Sequence, residues 1–128
     1  MRRNFYSKNK YHANKIEING EKFDSMKEYR RFAYLKDLEE KGEISNLRRQ
    51  VKYILIPTQR EPYTVGKRGG IKEGKVIEKE CSYFADFVYR IPGAEKEIVE
   101  DTKGFRTTDY IIKRKLMLYL FGIRIKEI

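Results

Sequence analysis

The sequence predicts an α+β (α/β) domain in the order small β-hairpin, helix, three strands, helix, strand. Three observations carry this reading. Asn19-Gly20, the preferred pair for a two-residue type I′ turn, separates two short β-like segments. Two stretches, 25–41 and 107–121, space apolar residues at helical intervals between a Ser or Thr and a Gly. The remaining apolar runs are β-branched or aromatic and are punctuated by Pro and Gly.

The elements follow in order. Residues 1–14 mix Arg2, Arg3, Phe5, Tyr6, Lys8, Lys10 and Tyr11 without a period and read as a flexible basic arm, either solvated or contacting phosphates. Residues 15–128 read as one domain. Pairing across Asn19-Gly20 sets Ile16 opposite Phe23 and Glu17 opposite Lys22. The first helix opens with a capping box, Ser25-x-x-Glu28, and carries a stripe of Met26, Tyr29, Phe32, Leu35 and Leu38, with Gly42 as its C′ residue. Residues 50–56 form a strand ended by Pro57. Residues 57–79, with two Pro, four Gly and interspersed bases, read as a long loop or a loose hairpin tip. Residues 80–90 and 96–103 form an antiparallel pair turning at Pro92-Gly93. The second helix has Thr107 or Thr108 as N-cap, apolar positions Ile112, Leu116, Tyr119 and Leu120, and Gly122 as its stop. Ile123 to Ile128 alternate as a last strand.

Composition narrows the function. The 128 residues carry 29 Lys and Arg against 19 Asp and Glu, a net charge of +10 that points to an acidic partner, with nucleic acid first. A single Cys, Cys81, excludes an internal disulfide or a multi-Cys zinc site and reads as a strand core residue. A single His, His12, excludes HExxH zincins and HNH nucleases. The charged N-terminus lacks an apolar signal region, and the longest apolar run, 116–121, is far short of a membrane span. A cytoplasmic protein without a membrane partner is therefore expected. Residues 80–103 invert the charge, with three bases and six acids, and basic segments enclose them.

That acidic stretch holds the chemistry. Along Val99-Glu-Asp-Thr-Lys103, Asp101 and Lys103 share one strand face, and Glu100 and Thr102 the other. Asp86 is a carboxylate inside the apolar run Phe84-Ala-Asp-Phe-Val88, which costs free energy unless it is paired or holds a cation. The hairpin register near this turn sets Asp86 opposite Glu100, and a slip of one residue sets it opposite Asp101. Two carboxylates converging beside a Lys suit Mg²⁺, which takes oxygen ligands and keeps several waters. Such an ion activates water and stabilises charge on a phosphoryl group. Lys103 would position or deprotonate that water, or stabilise the transition state. Glu28 lies at the inward edge of the first helix, although its capping box alone accounts for it.

Glu28, Asp86 and Asp101-Thr-Lys103 together resemble the PD-(D/E)xK nuclease superfamily. Its restriction-endonuclease-like core is a mixed sheet in the order helix, three strands, helix, strand. More closely, Tyr11-His-Ala-Asn-Lys15, Phe23-Asp-Ser-Met-Lys-Glu28, Ala85-Asp-Phe-Val-Tyr89 and Val99-Glu-Asp-Thr-Lys-Gly-Phe105 are similar to a family of small phage and prophage proteins placed in that superfamily. The likeness runs from about Tyr11 to Ile128. It implies Mg²⁺-dependent DNA cleavage, with Mn²⁺ as a substitute. It also implies that Asp86, Asp101 and the Thr102 backbone carbonyl hold the metal, that Lys103 serves the nucleophilic water, and that Glu28 completes the site, directly or through water. Ala85 stands where the motif name has Pro.

Candidate phosphate contacts are Arg2, Arg3, Lys10, His12, Lys15, Lys67, Arg68 and Lys113. Lys113, with Arg114 and Lys115, reads equally well as a solvated helix face. Gln50 opens the first core strand and could point at the site. The expected function is a metal-dependent DNA endonuclease, in phage DNA processing or recombination. The alternative is a non-catalytic nucleic-acid-binding protein on the same scaffold; a phage structural protein comes third. Cutting both strands with one site per chain would take a homodimer. No small-molecule cofactor is expected.

Overall fold

The computed structural model describes residues 15–128. The basic arm expected over residues 1–14 lies outside the described residues. β1 (Ile16–Ile18) and β2 (Glu21–Phe23) pair antiparallel in the predicted register, Ile16 with Phe23 and Glu17 with Lys22. Asn19 and Gly20 take φ of 53° and 80°, as a type I′ turn requires.

α1 (Met26–Glu40) starts where the Ser25 hydroxyl accepts the Glu28 N–H. The Glu28 side chain reaches one residue further back than in a regular capping box, to the Asp24 N–H at 2.8 Å. After α1 comes β3 (Ser45–Ile56), which begins five residues before the predicted 50–56. The region expected to be a loop is a two-stranded arm of four short strands. β4 (Gln59–Arg60) pairs with β7 (Val76–Glu78), and β5 (Thr64–Val65) pairs with β6 (Ile71–Lys72). Pro and Gly limited the strand lengths without preventing the pairing.

β8 (Cys81–Arg90) returns along β3, and β9 (Ile98–Asp101) pairs antiparallel with β8. α2 (Thr108–Phe121) is capped by Thr107 and closed by Gly122 at φ 66°. β10 (Lys126–Glu127), shorter than the predicted 123–128, lies parallel to β9. The main sheet is thus mixed, with order β10–β9–β8–β3. Among the described residues, no helix is long and apolar enough to cross a membrane.

One helix covers each face of the sheet. Leu35, Phe32 and Leu38 of α1 pack with Phe87, Tyr89 and Ile98. Tyr110, Met117, Ile111 and Leu116 of α2 pack with Tyr83, Ala85, Val88, Val99 and Leu55. The predicted stripe of α2 is corrected: Ile112, Tyr119 and Leu120 are exposed, while Tyr110 and Met117, seven residues apart, are buried. The end of this helix is apolar at every position from Leu116 to Phe121, so spacing alone fixes no inward face. Arg114 is not part of a free face either, because it bonds Glu127 at 2.9 Å.

Both central strands change sides midway. On β8, Tyr83 and Ala85 belong to the α2 core, whereas Phe87 and Tyr89 belong to the α1 core. On β3, Leu47 packs on the α1 side, whereas Val51, Tyr53 and Leu55 pack on the α2 side. Regular alternation would keep each set on one face. The switch falls at Gln50, which takes the left-handed φ of 51°. By register, Gln50 stands opposite Asp86, between the pairs Arg49–Phe87 and Val51–Ala85.

Candidate metal centre

The β8–β9 register pairs Phe87 with Glu100 and Val88 with Val99. Asp86 therefore falls opposite Asp101, and the pairing with Glu100 that the sequence first suggested is displaced by one residue. Glu100 and Asp101 are consecutive, face opposite sides of β9 and are both buried. Glu100 turns toward α1. There it accepts from Arg31 Nε at 2.9 Å and Nη2 at 2.5 Å, and from the Tyr89 hydroxyl at 2.7 Å. Its charge is satisfied within the fold, which removes it as a competing ligand.

Asp101 turns the other way. Its Oδ2 accepts from the Tyr83 hydroxyl at 2.5 Å. Its Oδ1 lies 3.2 Å from Lys103 Nζ, off the hydrogen-bonding direction, and is buried without a hydrogen bond. Lys103 Nζ in turn sits over the Tyr110 ring, 4.4 Å from its centroid. Burial first, and then the neighbouring Asp86 carboxylate, push the Asp101 carboxyl above its ordinary range.

Asp86 is held from two directions. The Thr102 N–H and hydroxyl both donate to its Oδ2 at 2.8 Å, and the Gln50 amide donates to its Oδ1 at 3.1 Å. The same Gln50 nitrogen donates to Glu28 Oε1, also at 3.1 Å. One amide thus ties the helix acid to the strand acid. Glu28 is buried, and burial is the main cause of its raised pKa, with Asp86 adding to it.

A cleft of about 520 Å³ opens over this group, lined among others by Lys15, Lys27, Glu28, Asp86, Thr102 and Lys103. Lys15, Glu28, Asp86, Thr102 and Lys103 are thus brought together as the sequence suggested, with Asp101 buried behind them. Lys67 and Arg68 sit at the tip of the β5–β6 arm, and Lys113 lies on α2; none of the three lines the cleft. Arg2, Arg3, Lys10 and His12 lie outside the described residues. Lys27, Tyr83 and Phe105 were missed. Lys27 lines the cleft and donates to the Lys103 carbonyl at 3.3 Å; its place beside Glu28 at the start of α1 was its one signal. Tyr83 joins Asp101 across 18 residues of chain, and no local pattern marks it.

The donor set fits a hard divalent cation. Mg²⁺ needs only one or two carboxylates alongside waters and substrate phosphates. Asp101 offers a buried oxygen without a hydrogen bond, close enough to Asp86 to raise its pKa. Among the described residues no three acidic, His or Cys side chains form a ready-made cage.

A family described as "Protein of unknown function (DUF1064)" matches residues 8–126, and the chain belongs to that family. No curated protein and no solved structure matches the chain.

Proposed function

We propose that this member of the DUF1064 family is a Mg²⁺-dependent endodeoxyribonuclease of the PD-(D/E)xK type. The observation that carries the reading is Asp101: a buried carboxylate whose Oδ1 has no hydrogen bond, beside Asp86 and 3.2 Å from Lys103 Nζ, under an open cleft. Asp101 and the neighbouring Asp86 share the single ammonium of Lys103, and the excess negative charge raises the Asp101 pKa, an excess that a divalent cation would offset.

Asp86, Asp101 and the Thr102 carbonyl would hold the cation, with Glu28 reached directly or through a water, and Mn²⁺ would substitute. The bound ion supplies an activated water and a counter-charge for the phosphoryl oxygens. The chain's own residues then orient the reaction. Water oxygen attacks phosphorus and gives up its proton to solvent, the bond from phosphorus to the leaving ester oxygen breaks, and that oxygen takes up a proton from solvent. Lys103 aims the attacking water and balances developing charge. Lys15 and Lys27 line the cleft mouth, where they meet the flanking phosphates. A homodimer would cut both strands, and the work would fall in phage DNA processing in the host cytoplasm.

A second reading is a non-catalytic nucleic-acid-binding protein on this scaffold. It is favoured by the Gln50 amide, which stands between Glu28 and Asp86. Cleavage of labelled single strand, duplex, flap and four-way junction with Mg²⁺, Mn²⁺ or EDTA separates the two. Metal-dependent cutting lost in both Asp101→Ala and Lys103→Ala supports the nuclease. Absence of cutting, with all three proteins binding DNA equally, leaves the binding module.

A further inference from the structure

The β4–β7 arm is absent from the cleft and unused by the chemistry above, yet it is built rather than loose. Glu61 donates its N–H to the Lys75 carbonyl at 2.8 Å, and Gly66 donates to Gly70 at the same distance. At Gly74 the two sides of the arm touch: a Cβ there would lie 1.9 Å from the Glu61 carbonyl oxygen. Among the described residues nothing packs over it, since every residue from 57 to 79 except Gly74 is exposed.

Its charge is net positive, with Arg60, Lys67, Arg68, Lys72, Lys75 and Lys79 against Glu61, Glu73 and Glu78. Arg60 pairs with Glu73 at 3.7 Å. Lys67, Arg68, Lys72, Lys75 and Lys79 have no ion pair among the described residues. The exposed apolar residues, Val65, Ile71, Val76 and Ile77, are β-branched, and Tyr63 is the arm's single aromatic. Single-strand binders stack successive bases on several aromatic side chains, and this arm has only Tyr63. Two strands of this kind match the width of a duplex major groove, about 12 Å.

We propose that the arm is a duplex-DNA contact separate from the cleft, in which Lys67, Arg68 and Lys72 neutralise backbone phosphates. The proposal rests on the reading of DNA as the partner and adds where the duplex is gripped. The arm begins five residues along β8 from Asp86, about 17 Å at ~3.3 Å per residue. It therefore meets the duplex about half a helical turn or more from the phosphate at the cleft. Substrate length and shape beyond the cleft become part of what the protein selects.

The test is the salt dependence of binding to a 30-base-pair duplex in EDTA, read by fluorescence anisotropy on the full chain. Each phosphate contact contributes about 0.9 to the slope of log K against log salt. Lys67→Ala with Arg68→Ala is compared with Lys36→Ala with Lys41→Ala, which removes the same charge from α1 and from the residue capping its end. The arm pair is expected to flatten the slope by about 1.8 and the α1 pair to leave it unchanged. Equal flattening by both pairs, or none by the arm pair, overturns the proposal. A larger loss by the arm pair on a 30-nucleotide single strand than on duplex overturns the duplex assignment. A wild type that binds duplex with the arm-dependent slope but never cleaves with metal refutes the nuclease and leaves the arm standing.

Discussion

Gln50 and Asp86 meet where both central strands change sides, and the Gln50 amide spans from Asp86 to Glu28 at 3.1 Å to each. The backbone pays locally for that placement, since Gln50 holds φ 51° without being Gly. Strain retained beneath two carboxylates ties the side chain to the site rather than to the sheet.

Gln50→Asn separates the two roles. Asn tolerates the left-handed region better, but its amide is one methylene too short to serve both acids. Thermal stability should hold or rise, while cleavage at limiting Mg²⁺ should fall about tenfold, equivalent to ~1.4 kcal/mol. An unchanged rate would refute the bridging role.

Asp101→Asn should raise stability and abolish activity together. The amide still accepts from Tyr83 but no longer carries a buried charge beside Asp86. A gain of ~1 kcal/mol would appear as about 4 °C in the unfolding midpoint. Metal-dependent cleavage should fall at least ~10²-fold. A drop in midpoint would show that the carboxylate is structural.

On the opposite face of β9, Arg31→Met strands the fully buried Glu100 carboxylate. The expected cost is ~3–5 kcal/mol by urea unfolding. Adding Glu100→Gln should recover most of it. If the double variant is no more stable than the single, the loss came from packing.

Gly74→Ala should melt the arm and spare the core, because the clash is with the Glu61 backbone and the arm carries no buried side chain. Amide exchange should accelerate over 57–79 while β8 and β9 stay protected. Global loss of protection would mean that the arm is integral to the fold.

Much of this organisation was written locally. Asn19-Gly20, Ser25, Thr107, Gly42 and Gly122 each specify a turn or a helix end from within a few residues, and each stands as read. The carboxylates were legible because Asp86 is polar in an apolar run and Asp101-x-Lys103 is a compact motif, although β9 ends at Asp101 and Lys103 lies beyond the strand that was expected to run to 103. What escaped depended on distant contacts. The side-switch at Gln50 needs two strands to be seen, and Tyr83 finds Asp101 only once β8 and β9 pair. The inward face of α2 was hidden by an apolar surplus, and the arm by Gly and Pro that interrupt strands without abolishing them.

Glu39 provides a pH test away from the site. The Leu47 N–H at 2.8 Å, and then Lys36, hold its carboxyl below the ordinary value of 4.5. A lowered folded value means the stabilisation is complete above the unfolded value and is lost as pH falls through the folded one. Glu39→Gln should therefore cost about 1 kcal/mol at pH 7 and progressively less in acid. A difference independent of pH would remove the charge from the explanation.

The alternation of Glu100 and Asp101 has a bearing on how this sequence can drift. A one-residue slip of β9 after a deletion in the segment joining β8 to β9 would put Asp101 in the place of Glu100, before Arg31 and one methylene too short, and Thr102 opposite Asp86, with Glu100 moved to the place of Val99. Length changes in that connection are therefore absorbed only where the loop itself takes them up and the β8–β9 register stays in place.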